Sequence, residues 1–196
     1  MSSAVPFEIA PSISSLLRVR FDDMVMDAVP QYFLFGDDQA PNPITVHTRA
    51  GKTVKVNRTV AILPIWREAD RQNQQKHNLA QPRTALSGYF NCHGLVFASR
   101  RAAITDVEQI PSILKDDNYD EISDLAAVLP GDIVIYFNIE NNDAEHSGLV
   151  VAAPHEANLV KTFMIVSKWG PCGREYLHAL DDCPYTGNKR FFRIHN

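Results

Sequence analysis

The chain has 196 residues, a net charge of -4, 45% hydrophobic residues and 21% charged residues. These values predict one soluble globular domain that is long enough to bury its own core. The negative charge and the lack of a basic tract exclude nucleic acid as the main partner, and no apolar run approaches the roughly 18 residues of a membrane span.

The chain begins with a segment that predicts an amphipathic helix. Apolar side chains recur at helical spacing over residues 13–28, between a possible cap at Ser12 and a stop at Pro30. We expect this helix to pack on the body of the protein, with docking of a partner on its apolar stripe as the alternative.

The next segments predict short strands and a polar surface element. Residues 45–47 and 53–56 flank a turn and predict a hairpin. Residues 60–63 form a third β-prone run that ends at a proline. Residues 67–83 are rich in glutamine and asparagine and predict a surface helix or loop.

The second half of the chain predicts a helix followed by a meander of strands. Apolar residues after Cys92 suit a buried helix, and a tight turn at residues 129–132 precedes a β-prone run. A polar turn then makes Tyr136 and Leu149 members of antiparallel neighbours. This order predicts an α+β fold in which a helix lies across an antiparallel sheet. The β-prone runs are 133–137, 146–151, 161–168 and 190–194.

Cys92 and His146 are the candidate nucleophile and general base. A thiol at a helix start is near unpaired N–H groups, which favour the thiolate and can also face a developing oxyanion. A histidine at a strand edge could take the thiol proton. The alternatives are a small buried hydrophobe for Cys92 and a solvated turn residue for His146.

Three motifs resemble those of NlpC-type cysteine peptidases, relatives of the CHAP amidases within the papain-like superfamily. Asn91-Cys92-His93-Gly94-Leu95-Val96 is similar to the family's Asp-Cys-Ser-Gly-Leu-Val element. The Pro-Gly-Asp at residues 130–132 resembles a strand entry, and residues 146–150 resemble the His-Val-Gly-Ile strand that carries the base. The motifs keep the family order over roughly residues 85 to 170. Asn91 and His93 depart from the family's aspartate and serine, and no aromatic-Gly-Gly element precedes the nucleophile.

The resemblance also implies a third residue that orients the histidine. Ser167 precedes Lys168-Trp169-Gly170 in a string similar to papain's Asn-Ser-Trp-Gly, so we expect the Ser167 hydroxyl to accept the imidazole N–H. A main-chain carbonyl is the alternative. Trp169 is expected to shield the pair from water. The expected substrate contacts are Tyr89, His93, Trp169 and His178.

Residues 170–187 are predicted to form a long loop near the cleft. Cys172, His178 and Cys183 lie in this segment, but their spacing fits no common zinc finger, and we expect no metal or cofactor. A Cys172–Cys183 disulfide would require an oxidising compartment.

Neighbouring residues of a helix point apart, so His93 is not expected to be the base for Cys92.

These features together predict a single papain-like domain over residues 1–196, with 1–80 as an elaboration and 81–196 as the catalytic core. The resemblance implies a cysteine hydrolase that cleaves amide bonds in peptidoglycan peptides. The start of the chain lacks a signal-peptide pattern. We therefore expect synthesis in the cytoplasm, delivery by a system such as type VI secretion to the periplasm of a target cell, and a cognate inhibitor protein. The alternatives are a thiol-dependent deamidase or acyltransferase, and a binding module with a decayed site.

Overall fold

The computed structural model describes residues 44–58, 62–154 and 162–195, so the predicted helix at residues 13–28 lies outside the described residues. The helices are α1 (Pro64–Lys76), α2 (Cys92–Phe97) and α3 (Ile110–Asp116), with short 3₁₀ turns at Val107–Gln109 and Leu125–Ala127. The strands are β1 (Val46–His47), β2 (Thr53–Val54), β3 (Gln81–Pro82), β4 (Tyr119–Ile122), β5 (Ile133–Phe137), β6 (Ala144–Ala152), β7 (Met164–Lys168), β8 (Glu175–Ala179) and β9 (Asn188–Ile194).

The strands build one large antiparallel sheet and one small hairpin. The sheet has seven strands in the order β3-β8-β7-β6-β5-β9-β4, and β1 pairs with β2 in the separate hairpin. The mixed α+β fold with an antiparallel sheet is therefore confirmed. The predicted pairing of Tyr136 with the strand of Leu149 is also confirmed, because β5 and β6 are antiparallel neighbours.

The two faces of the sheet carry different cores, because successive side chains of a strand point to opposite sides. We call the face that carries Ile133, Ile135 and Phe137 the helix face, since these residues pack with Ala98 and Ile104 around α2 and α3. We call the opposite side the aromatic face. Its buried residues include Val134, Tyr136, Val150, Ile165, Trp169, Tyr176 and Phe191.

Helix α1 joins the sheet through a buried carboxylate rather than through an apolar stripe. Pro64 stands in its first turn, where the lack of an N–H costs nothing. Asp70 is buried and accepts hydrogen bonds from the Tyr176 hydroxyl at 2.9 Å and from the main-chain N–H of Arg174 at 3.3 Å. A polar helix can therefore sit against β8. Residues 67–83, which were predicted to form a surface helix or loop, contain most of α1 and then the short strand β3.

Two sequence predictions differ from the structure. Residues 62 and 63 form no strand, because Leu63 is the N-cap of α1. The segment predicted as a loop at 170–187 contains strand β8, which pairs with β7 along its length. Its buried Tyr176 and His178 are polar at their tips and hydrogen-bonded, so the strand lacks the apolar pattern that would have predicted it. Among the described residues, no helix combines the length and hydropathy that crossing a bilayer requires.

Candidate active site

Asn91 fixes the start of α2 and with it the position of Cys92. The Asn91 side-chain oxygen accepts hydrogen bonds from the N–H of Gly94 at 2.9 Å and of Ile104 at 3.1 Å. Its amide group donates to the carbonyl of Ile104 at 2.7 Å. An N-cap side chain of this kind satisfies N–H groups that the helix leaves open. Cys92 is therefore the first residue of α2, as its sequence context predicted.

The Cys92 sulfur is buried and faces main-chain N–H groups. Its side chain packs in the interior, and 7% of the residue is exposed. Burial raises the pKa of the thiol to about 11, against the opposing effects of the N–H groups of Ser147, His93 and Cys92 itself and of the Lys168 charge. The expected lowering by the helix start is thus outweighed by burial, and the resting group is a protonated thiol.

His146 lies on β6, fully buried on the aromatic face. Its ring stacks on Tyr185 with centroids 3.7 Å apart and planes 7° apart, and it meets the edge of Tyr136 at 5.3 Å. Within the described part of the chain, neither ring nitrogen has a hydrogen-bond partner. Burial lowers the pKa of His146 well below its usual value. Positive charge on His178 or His93 would lower this pKa further. The imidazole is therefore neutral and one nitrogen keeps an open lone pair.

The Cys92 sulfur lies beside the stretch of β6 that contains His146, but the imidazole points to the other side of the strand. The N–H of Ser147 faces the sulfur, while the Ser147 hydroxyl bonds His93 of α2. Because side chains alternate along a strand, the ring of the adjacent His146 lies on the other side. Tyr185 also connects the pair: burial and then the Cys92 charge raise the pKa of its phenol, and its ring covers the imidazole. The thiol and the imidazole share two neighbours but form no hydrogen bond with each other.

Ser167 does not make the predicted hydrogen bond to His146. Its hydroxyl lies 2.8 Å from Nε2 of His178 and accepts the indole N–H of Trp169 at 3.1 Å. The Nδ1 of His178 lies 2.8 Å from the Ala179 carbonyl, which can only accept, so we assign the ring proton to Nδ1. Ser167 therefore donates its single proton to Nε2 of His178. The expectation that Ser167 orients His146 is corrected: it orients His178.

Three of the four predicted substrate contacts lie inside the protein. His93, Trp169 and His178 are each at most 2% exposed. Nε2 of His93 donates to the Ala144 carbonyl at 2.9 Å, and Nδ1 accepts the Ser147 hydroxyl at 3.0 Å, so this ring ties α2 to β6. Tyr89 differs, since it is half-buried and lies 5.8 Å from the guanidinium of Arg58.

All three cysteines are free thiols and all three are buried. The structure therefore contains no Cys172–Cys183 bridge. In residues 44–58, 62–154 and 162–195, no cluster of three histidine, cysteine or acidic side chains could hold a metal ion. The zinc alternative for Cys172, His178 and Cys183 thus receives no support from the geometry.

Sequence reasoning missed two residues of the candidate site. Tyr185 covers the imidazole, and its hydroxyl accepts the N–H of Gly170 at 2.9 Å. Ser147 presents its N–H to the sulfur and its hydroxyl to His93. A tyrosine in a connecting segment carries no local signal for this role, whereas Ser147 was already inside the motif that marks His146.

No protein-family model, curated protein or solved structure gives a significant match to this chain.

Proposed function

We propose that this protein is a cysteine hydrolase with a papain-like fold of the NlpC type, in which Cys92 is the nucleophile and His146 is the base. One observation carries the proposal. His146 is a fully buried imidazole with both nitrogens unpartnered, and it adjoins Ser147, whose N–H faces the only thiol at a helix start in the described residues. A buried polar group without a hydrogen-bond partner lowers the free energy of unfolding by about 1–3 kcal/mol. A role in catalysis would explain why the protein keeps His146 at this position despite the loss of stability.

The two groups have the protonation states that the chemistry needs. At neutral pH, the Cys92 thiol holds its proton and the His146 imidazole is a neutral acceptor. His146 takes the thiol proton as the sulfur attacks the amide carbonyl carbon, and the imidazolium then protonates the leaving amine. Water hydrolyses the thioester and releases the acid. The N–H groups that face the sulfur stabilise its negative charge before attack.

Proton transfer requires a shorter path than the resting geometry provides. His146 lies on the side of β6 opposite α2, so this part of β6 must rearrange before the imidazole can take the thiol proton. The ring is held by stacking on Tyr185 and by edge contact with Tyr136, and no hydrogen bond restrains its nitrogens. Substrate binding that displaces Tyr185 would therefore free the base at the moment when it is needed.

The substrate class follows from the resemblance of the motifs at Cys92 and His146. Amide bonds of peptidoglycan peptides are the substrates that it implies. We also propose delivery to the periplasm of a target cell by a system such as type VI secretion, with a cognate inhibitor protein as a partner. Deamidation or acyl transfer on a protein or lipid is the alternative use of the same thiol.

Digestion of purified sacculi tests the proposal. Wild-type protein is expected to release shortened or split muropeptides, and Cys92→Ala to lose at least about 1,000-fold in rate. Cys172→Ala, which removes another buried thiol, is the matched control and should keep the wild-type products. Unchanged muropeptide masses with the wild-type protein, or full digestion by Cys92→Ala, would contradict the proposal. A mass change without chain cleavage would identify deamidation.

A further inference from the structure

Lys168 is a buried cation at the end of β7. The residue is 1% exposed, and its ammonium donates to the carbonyl of Ser87 at 2.6 Å and to that of Gly173. It also lies 5.0 Å from the centre of the Phe90 ring. Within the described ranges, no carboxylate is close enough to form an ion pair with it. Two carbonyls and an aromatic face are thus its immediate partners.

The buried charge of Lys168 lowers the stability of the folded protein. Transfer of an ammonium into the interior costs several kcal/mol unless it is well compensated. Burial lowers the pKa of Lys168 to about 8, so the group still carries its charge at pH 7. A methionine-like side chain would fill the same space without this cost. The charge therefore needs an explanation beyond packing.

The partners of the ammonium belong to two different segments of the chain. Ser87 and Phe90 belong to the segment that leads directly into Cys92, and Gly173 belongs to the turn that follows β7. The ammonium therefore ties the entry to α2 to the end of a central strand. The same charge acts on the Cys92 sulfur, where it favours the ionised form.

We propose that Lys168 is a positioning residue for the nucleophile: its ammonium holds the segment 87–92 against β7, and its positive charge stabilises the Cys92 thiolate. This inference rests on the proposed function, because a stabilised thiolate matters only if Cys92 reacts. Lys168 does not touch the substrate and acts through Cys92.

The other titratable groups around Cys92 do not supply a positive charge at pH 7. His146 on β6 and His93 on α2 are neutral, since burial lowers the pKa of each, and Tyr185 is a neutral phenol. Lys168 in turn faces several groups from the neighbouring elements. Those whose charges raise its pKa are Cys172, Glu175, Cys92 and Asp70.

Two substitutions separate the charge of Lys168 from its hydrogen bonds. Lys168→Gln can still donate to the two carbonyls but is uncharged, whereas Lys168→Arg keeps the charge. The measurement is the rate of Cys92 alkylation by iodoacetamide at pH 7, where Lys168 is charged, followed by peptide mass spectrometry. Lys168→Gln should slow alkylation about tenfold, because the thiolate fraction of Cys92 falls when the positive charge is lost.

Lys55→Met, which removes an exposed positive charge, is the control and should leave the alkylation rate unchanged. Lys168→Arg should react at close to the wild-type rate. Equal rates for wild type and Lys168→Gln would overturn the inference. If Lys168→Gln does not fold, slower alkylation in folded Lys168→Arg overturns it as well, and an unchanged rate supports it. The alkylation rate does not depend on hydrolysis, so failure of Cys92 in the sacculus assay remains a separate result.

Discussion

The ring of His146 lies flat against the ring of Tyr185, with centroids 3.7 Å apart. A stack of this kind covers one face of the imidazole and excludes water from it. The only hydrogen bond found for the Tyr185 side chain among the described residues is the one from the N–H of Gly170. Tyr185 therefore determines how accessible the proposed base is.

Removal of the Tyr185 ring should expose His146. In Tyr185→Ala, water reaches the imidazole and its pKa rises toward the usual value of about 6.5, since burial is the main cause of the lowering. An NMR titration of the imidazole C–H signals measures this shift. Tyr185→Phe keeps the stack and loses only the acceptor for Gly170, so its His146 should titrate as in the wild type. Identical titrations for the alanine variant and the wild type would contradict this role of Tyr185.

Asn91→Asp, which restores the residue that the resembling family has before its nucleophile, should destabilise this protein. Aspartate can still cap α2, but it cannot donate to the Ile104 carbonyl, which now receives the Asn91 amide at 2.7 Å. The loss of one hydrogen bond, with a carboxylate facing a carbonyl, should lower the free energy of unfolding by about 1–3 kcal/mol. Urea denaturation measures it. Equal or higher stability of the aspartate variant would show that the amide donor is dispensable.

Ser167→Ala should affect stability rather than the base. The substitution leaves Nε2 of His178 and the indole N–H of Trp169 without their shared partner. Two buried unsatisfied groups should cost about 2–4 kcal/mol in unfolding free energy. The His146 titration in the folded variant should not change, because Ser167 does not bond that ring. A changed His146 titration with unchanged stability would restore Ser167 as the orienting residue.

Buried neutral histidines should make the protein sensitive to acid. Burial lowers the pKa of His93 and of His178 to about 4. The unfolded chain binds these protons near pH 6.5, so between pH 6.5 and pH 4 the unfolded state holds more protons and the free energy of unfolding falls as the pH falls. Each histidine contributes up to about 3 kcal/mol to this loss.

His93→Gln tests the contribution of one ring. Glutamine can donate and accept a hydrogen bond but does not titrate in this range, so the variant should lose less stability than the wild type between pH 6.5 and pH 4. Denaturation curves at these two pH values provide the comparison. Equal losses of unfolding free energy in the variant and the wild type would mean that His93 is not a source of the acid sensitivity.

Local sequence signals predicted the parts of the fold that bury apolar side chains. Runs such as Ile133–Phe137 are fully buried and appear as strands, and the polar cap before Cys92 appears as the start of a helix. Strand β8 could not be predicted in this way, because Tyr176 and His178 are buried through hydrogen bonds to partners that are distant along the chain or across the sheet.

The candidate site was predictable only as separate motifs. The sequence indicates that Cys92 starts a helix, which is confirmed. It also put His146 at the edge where a strand opens, which is wrong, because β6 begins at Ala144 and His146 is buried within this central strand. The side of the strand that His146 faces depends on register, and a shift of one residue would reverse it. The stacking by Tyr185 and the pairing of Ser167 with His178 are tertiary contacts that no local pattern encodes.

The most direct measurement of the central claim is the alkylation rate of Cys92 at pH 7 in wild type and in His146→Ala. If His146 takes the thiol proton, the alanine variant should react at least about tenfold more slowly, because burial otherwise keeps the thiol protonated. His195→Ala, which removes an exposed imidazole, should react as the wild type does. Equal rates in wild type and His146→Ala would contradict the nucleophile–base pair and would favour a binding module with a decayed site.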